Sequence, residues 1–168
     1  MQNITTLTHL FIEQAREIYD AEVQQLEVIK EILPKINSPE LKQLVTHHID
    51  QIKLQKERLE KVFAEEDELS SGEQNQVMAA LIKELIEIMN RSADSKVRDA
   101  GLIGSLQQIK HFEMAAYGTL CAFAKTLKKI EEANALHHNL EEEKGMDAQL
   151  SHLARNTINK EALSTLIL

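Results

Sequence analysis

Apolar residues recur every three or four positions along most of the chain, which is the spacing of amphipathic helices. The first such stretch starts at Thr6 and is expected to end at Pro34, because proline cannot continue a helix. A second stretch begins at Ser38-Pro39-Glu40, a sequence typical of helix N-termini, and runs to about Phe63. The first part of the chain therefore predicts two long helices with a short connection.

A more polar region follows these two helices. Residues 64–72 are acidic and contain serine and glycine, which predicts a loop. A shorter amphipathic helix is expected over residues 73–90, with a break at residues 91–95. The connection between the second and third long helices is thus expected to contain a short helix of its own.

Two further long stretches with helical spacing complete the pattern. The third has apolar positions from Leu102 to Leu127, and the fourth from Ala133 to Ile158. Four long helices with one longer connection are typical of one kind of helical bundle. The sequence predicts an all-α fold, an antiparallel ferritin-like four-helix bundle with an additional short helix in the crossover connection.

Composition supports this fold and narrows the function. Only five Gly and two Pro occur, so we expect almost no strand. The length of 168 residues predicts a single domain over residues 1–168. The net charge of −8 argues against nucleic-acid binding, which needs a concentrated basic surface. The chain contains no stretch of about 18 apolar residues, so no membrane span is expected. The first residues do not have the pattern of an export signal. The single Cys121 excludes a disulfide framework and favours the reducing cytoplasm.

The most informative residues are polar ones on the expected inward faces of the long helices. They are Glu22 in the first helix, His48 and Gln51 in the second, Lys110 and Glu113 in the third, and Glu143 and Asp147 in the fourth. Antiparallel packing is expected to bring the four acids to one level of the bundle. Buried carboxylates need compensation, which a divalent metal, a buried lysine or both can supply. No complete Glu-x-x-His pair of the di-iron bundles occurs at inward positions.

Other polar residues are expected to have ordinary roles. Five histidines, His9, His47, His137, His138 and His152, are expected to face solvent. Tyr19 lies three residues before Glu22 and is interpreted as a core tyrosine that can also touch the site.

Five segments together resemble the bacterial YciF/YciE family of ferritin-like stress proteins. They are IYDAE (18–22), ERLEKVF (57–63), VRDAGLI (97–103), HFEMAAYGTL (111–120) and LEEEKGMDAQL (140–150). They follow the order and spacing of that family over nearly the whole chain. The resemblance implies a four-helix bundle, a homodimer, and a metal site similar to that of rubrerythrins.

The resemblance also implies roles for individual residues. Glu22, Glu113, Glu143 and Asp147 occupy ligand positions of the family, with His48 and Tyr19 behind them. Three positions depart from the family pattern, which usually has glutamate and often histidine where this chain has Gln51 and Leu54, and glutamate where it has Lys110. An amide is a poor replacement for a bridging carboxylate, leucine cannot ligate, and an ammonium repels a cation. A degraded di-metal site is therefore expected, in which Lys110 compensates the buried carboxyl groups.

The residues and the resemblance leave three functions open. The first is a non-catalytic, stress-associated bundle protein without a cofactor. The alternative is a di-iron oxidase or peroxidase, or an iron-handling protein, that uses the remaining carboxylates and holds a weakly bound divalent metal (Fe, Mn or Zn). Iron storage is a further alternative, which requires a hollow multimer instead of a dimer.

Overall fold

The computed structural model describes residues 3–70 and 72–164. The helices are, in chain order, α1 (Leu7–Ile32), α2 (Pro39–Glu65), α3 (Gln76–Arg91), α4 (Ser95–Thr126), α5 (Ile130–Leu153) and α6 (Asn159–Ser164). A 3₁₀ turn, Leu33–Lys35, follows α1, and a π-helical segment, Ala154–Ile158, joins α5 to α6. The described residues contain no strand.

The helices begin where side chains can accept hydrogen bonds from the first free backbone N–H groups. Thr6, Ser38, Asn75 and Asp94 act as these caps for α1, α2, α3 and α4. The predicted start of α2 at Ser38 and Pro39 is confirmed, and α1 ends two residues before Pro34.

Four long helices, α1, α2, α4 and α5, form the bundle, with α1 and α5 at opposite corners, and α3 packs against α1 and α4. Residues late in α2 contact residues early in α5, since Arg58 Nη1 donates to Asn139 Oδ1. Likewise, Glu22 of α1 contacts Tyr117, well along α4, whereas the end of α1 lies near the start of α4. Both pairs are antiparallel. The predicted all-α antiparallel four-helix bundle, with its short helix in the crossover connection, is confirmed.

Two contacts with other segments of the chain fix the position of the start of α4. The buried Asp99 carboxylate accepts hydrogen bonds from the backbone N–H groups of Asn37 (3.1 Å) and Ser38 (2.6 Å), which ties the α1–α2 connection to α4. Gly101 faces α3 so closely that a Cβ there would lie 2.5 Å from Ile88 Cγ2. None of the helices in the described part of the chain combines the length and apolar character that crossing a bilayer requires.

Candidate functional site

The ammonium group of Lys110 lies inside the bundle, and the residue has no exposed surface. Its Nζ is 2.5 Å from Glu113 Oε2 on the same helix and 2.6 Å from Glu143 Oε2 on α5. It is also 2.8 Å from Gln25 Oε1 on α1 and 2.6 Å from His48 Nε2 on α2. Each of the four long helices therefore supplies an acceptor. Because an ammonium has three N–H bonds, four acceptors exceed its donor capacity.

Two fully buried glutamines orient the carboxyl groups that face Lys110. Gln25 Nε2 donates to Glu113 Oε1 at 2.5 Å, and Gln55 Nε2 donates to Glu143 Oε1 at 2.8 Å. Each carboxyl group is thus held between an amide donor and the ammonium. We call Glu22, Gln25, His48, Gln55, Lys110, Glu113, Tyr117 and Glu143 the Lys110 cluster.

Glu22 forms the α1 side of the Lys110 cluster and is fully buried. Its Oε1 accepts a 2.6 Å hydrogen bond from the Tyr117 hydroxyl. Its Oε2, like Gln55 Oε1, has no hydrogen-bond partner. An unsatisfied buried acceptor costs about 1–3 kcal/mol, and more if it is charged. This arrangement favours the neutral carboxylic acid at Glu22.

Burial and mutual repulsion distribute the protons among the three carboxyl groups. Burial, followed by repulsion from Glu143, raises the pKa of Glu22 to about 8 and that of Glu113 well above its usual range. Burial is the largest single influence on Glu143 and opposes its ionisation, but the charge of Lys110 and the other polar neighbours together outweigh burial and lower the Glu143 pKa. Burial disfavours the charged form of Lys110, yet the nearby carboxyl groups raise its pKa. These shifts favour the protonated forms of Glu22 and Glu113 and the ionised form of Glu143 beside the Lys110 ammonium.

His48 is neutral in this environment. Burial, assisted by the charge of Lys110, lowers the pKa of His48 to about 4. Because its Nε2 accepts from Lys110, the ring proton lies on Nδ1, which donates to Gln51 Oε1 at 3.3 Å. His48 thus acts as a further neutral acceptor for the ammonium.

An ion pair connects the Lys110 cluster to the surface between α2 and α5. Arg58 donates to both carboxylate oxygens of Glu142, at 2.7 and 2.9 Å, and to Asn139 Oδ1 at 2.8 Å. Asn139 is fully buried, and its Nδ2 donates to the backbone carbonyl of Gln55 at 3.3 Å. These bonds hold the two helices together beside Glu143.

The structure brings together most of the residues that the sequence places in the site. Those in the cluster are Glu22, His48, Lys110, Glu113 and Glu143, and Gln51 is partly buried beside them. Three of the four acids expected to converge, one each from α1, α4 and α5, therefore lie in the cluster. Of the five histidines expected to face solvent, His9 is partly buried and the other four are exposed.

Three sequence-predicted residues lie elsewhere. Asp147, expected beside the glutamates, is 22% exposed, accepts from Gln107 Nε2 at 3.0 Å and faces His111. Asp147 follows Glu143 by four residues, a rotation of about 40° more than one full helical turn, and this is enough to turn Asp147 away from the direction of Glu143.

The other two also face away from the cluster. Leu54 is 46% exposed, and the buried position is the next residue, Gln55. The Tyr19 hydroxyl donates to Glu60 Oε1 at 2.8 Å, and its ring packs on Phe63, so Tyr19 does not stand behind the cluster.

In and beside the cluster, sequence reasoning missed four buried polar residues, which are Gln25, Gln55, Tyr117 and Asn139. Each lies at a helical spacing of three, four or seven residues from a recognised one: Gln25 follows Glu22 by three, and Tyr117 follows Glu113 by four. Extending each inward face by one turn would have found them. Glutamine and tyrosine are common on surfaces, however, so the signal is weak.

Fold and site define a four-helix bundle protein with a buried lysine–carboxyl cluster. The chain belongs to the family described as a domain of unknown function, DUF892, which residues 6–163 match. It is 34% identical over 161 residues to protein YciF of Escherichia coli (strain K12), covering 95% of this chain and 97% of YciF. The resemblance to the YciF family is thus confirmed.

Solved structures agree with this assignment. The crystal structure of the E. coli stress protein YciF superimposes with a TM-score of 0.89 at 32% identity, covering 94% of this chain and 99% of YciF. YcfI of Rhodopseudomonas palustris gives a TM-score of 0.86 at 33% identity, covering 89% and 96% of the two chains. A Xanthomonas campestris protein with 16% identity shares the fold, with a TM-score of 0.80 and coverage of 97% and 100%.

Proposed function

We propose that this chain is a non-catalytic, stress-associated bundle protein in which the Lys110 cluster takes the place of a ferritin-like di-metal site. The observation that carries the proposal is the buried Lys110 ammonium, which contacts acceptors from all four long helices. The stress role is inferred from the E. coli relative, which is described as a stress protein.

The donor set of the cluster does not fit two metal ions. The Lys110 ammonium lies 2.5–2.8 Å from the oxygen and nitrogen atoms that metals would need, and it repels a second cation. Di-metal bundles take a glutamate from each of the four helices, whereas α2 supplies no buried carboxylate and contributes only His48 and Gln55. Two of the three buried glutamates also favour their protonated forms.

In this proposal, the cluster determines the register of the bundle. Buried ion pairs add little net stability compared with apolar packing, but a buried charge without its partners is strongly unfavourable. A sliding or rotated helix would remove one acceptor from Lys110, so a single arrangement of α1, α2, α4 and α5 is favoured. This is a structural role for residues at positions where the resemblance to ferritin-like proteins implies metal ligands.

Metal analysis tests the proposal directly. The protein is produced with added iron and purified without chelators. Inductively coupled plasma mass spectrometry is expected to find far less than one metal ion per chain, and the protein is expected to consume no peroxide. Two metal ions per chain would overturn the proposal. One ion per chain would favour the alternative of a weakly bound Fe, Mn or Zn, for which Glu22 Oε2 and Gln55 Oε1 are unpartnered acceptors.

A pair of double variants sharpens this test. Lys110→Glu with Gln55→Glu replaces the ammonium and adds a carboxylate at the buried α2 position, so metal uptake is expected. The matched control, Lys110→Glu with Leu54→Glu, adds its carboxylate at an exposed position and is expected to bind less metal. Equal metal content in the two would contradict the assigned position of Gln55.

We also propose a cytoplasmic homodimer. A single cysteine, Cys121, which is buried and free, suits a reducing compartment, and the dimer is inferred from the YciF family. Light scattering on the full chain is expected to give twice the mass of 19.1 kDa. A large hollow assembly would instead support iron storage.

A further inference from the structure

We propose that Lys110 and Glu143 condense to an amide that joins α4 to α5 covalently, with Glu113 as the proton donor and His48 as the proton acceptor. This modification site rests on the proposed function, because only an ammonium in place of metal ions brings the two reacting groups together. The reaction needs no cofactor or oxidant, since an ammonium and a carboxylate give an amide and water.

Proximity is the first requirement, and the cluster provides it. Lys110 Nζ lies 2.6 Å from Glu143 Oε2, and both residues are fully buried. Well-oriented groups held together within one molecule can reach effective concentrations of about 10⁵–10⁸ M. Gln55 Nε2 donates to the other oxygen, Glu143 Oε1, where it polarises the carbonyl and stabilises negative charge during attack.

Proton transfer is the second requirement. His48 Nε2 lies 2.6 Å from Nζ and takes a proton from the ammonium only transiently during the reaction, because burial and the charge of Lys110 oppose its protonation at rest. Glu113 Oε2 also lies 2.5 Å from Nζ, so Nζ contacts an oxygen of Glu113 as well as one of Glu143, and burial favours the carboxylic acid at Glu113. A base beside the nucleophile and an acid beside the leaving oxygen are the groups that acyl transfer uses.

The steps balance. One Lys110 proton moves to His48, Glu113 protonates the Glu143 carboxylate, and the Nζ lone pair forms a bond to Glu143 Cδ. Nζ then returns a proton to Glu113, the C–O bond breaks, and the departing hydroxide takes the proton from His48 to become water. His48 and Glu113 end in their starting forms.

Desolvation favours this product over the ion pair. Two charges buried in a low-dielectric interior are replaced by a neutral amide, and hydrolysis is hindered because no residue of the reacting set exposes more than 1% of its surface. The amide also relieves the crowding around Nζ, where four acceptors compete for three N–H bonds.

Mass spectrometry of the denatured full chain tests the proposal. The expected mass is that of the sequence less one water, and trypsin is expected to leave Lys110 uncleaved, joining the peptide 99–125 to the peptide 130–144. The unmodified mass after prolonged incubation at neutral pH, with cleavage after Lys110, would overturn the proposal. Loss of water confined to peptide 99–125 would show a link to Glu113 and would overturn the assignment to Glu143.

Two variants separate the chemistry from folding. Glu113→Gln removes the acid and is expected to abolish the link, whereas Asp147→Asn, at a partly exposed carboxyl group outside the Lys110 cluster, is expected to retain it. Circular dichroism confirms that each variant is helical, and if Glu113→Gln does not fold, the peptide map of the natural chain decides. A metal-free chain with unmodified mass rejects the amide but leaves the proposed function standing. Two metal ions per chain reject both.

Discussion

Glu143 and Asp147 lie one turn apart on α5, yet their surroundings are opposite. Glu143 is fully buried and contacts the Lys110 ammonium, whereas Asp147 keeps 22% of its side chain exposed and accepts from Gln107. Water screens and solvates the second carboxylate, so its contacts contribute little. The first has no water, so its protein partners determine whether it is charged. Solvent access, more than residue type, decides what an acid does in this bundle.

The largest effect expected from this comparison is at Lys110. Lys110→Met leaves Glu143 as a buried carboxylate without its cation, which is expected to reduce the free energy of unfolding by about 3–5 kcal/mol in urea titrations. The control, Lys144→Met, breaks a pair in which both side chains are half exposed and is expected to change stability by about 0.5 kcal/mol. Similar losses for the two variants would contradict the difference between buried and exposed pairs.

The pH dependence of stability is the next test. Between pH 6.5 and 8, folded Glu22 (pKa about 8) keeps a proton that the unfolded chain, with a value of 4.5, has lost. Stability therefore falls as pH rises, by about 1.4 kcal/mol per pH unit for this group, or about 2 kcal/mol over that interval. Glu22→Gln is expected to make the decline less steep, and Asp147→Asn to leave it unchanged. Parallel pH profiles for the natural chain and Glu22→Gln would argue against a protonated Glu22.

His48 is expected to act in the opposite direction in acid. Its pKa is lowered from 6.5 to about 4, so below pH 6.5 the unfolded chain binds a proton that the folded chain resists. The contribution of neutral His48 to the free energy of unfolding is fully present above pH 6.5 and is lost as the pH falls through 4. His48→Gln is expected to reduce acid sensitivity relative to the natural chain, as measured by urea midpoints at pH 4 and 6.5. An unchanged difference between the two midpoints would contradict a buried neutral imidazole.

A smaller effect is expected from two tyrosine hydroxyls. Tyr117→Phe removes the only hydrogen bond that the structure shows for the Glu22 carboxyl group, and a loss of about 1–2 kcal/mol is expected. Tyr19→Phe removes a bond to the exposed Glu60, where water can replace the hydroxyl, and is expected to cost about 0.5 kcal/mol or less. Thermal and urea unfolding of both variants provide the comparison, and a larger loss for Tyr19→Phe would reverse it.

The smallest effect is expected at Asp147 itself. Asp147→Asn keeps an acceptor for Gln107 and leaves the Lys110 cluster intact, so stability is expected to change by about 0.5 kcal/mol or less. A loss comparable to that of Lys110→Met would place Asp147 functionally within the cluster, as its position in the YciF resemblance implies.

The fold was largely predictable because its signals are local. Ser38 and Pro39 mark the start of α2, Pro34 marks the end of α1, and the apolar periods define the long helices. The site was predictable in part. Polar residues at apolar spacing identified Glu22, Lys110 and Glu113, but a position such as Leu54 or Gln55 could not be chosen without knowing how α2 is rotated.

The sequence by itself determined the helices, their inward faces and the presence of acids and a lysine on those faces, because each depends on residues within a few turns of one another. Only the tertiary structure decided which side chains meet. Gln25 reaches Glu113 and Gln55 reaches Glu143 across 88 residues of chain in each case, and these contacts depend on the rotation and register of packed helices. Burial then determines the protonation state. A glutamate side chain that is ionised in water is favoured inside the bundle either as a neutral carboxylic acid or as a carboxylate paired with Lys110.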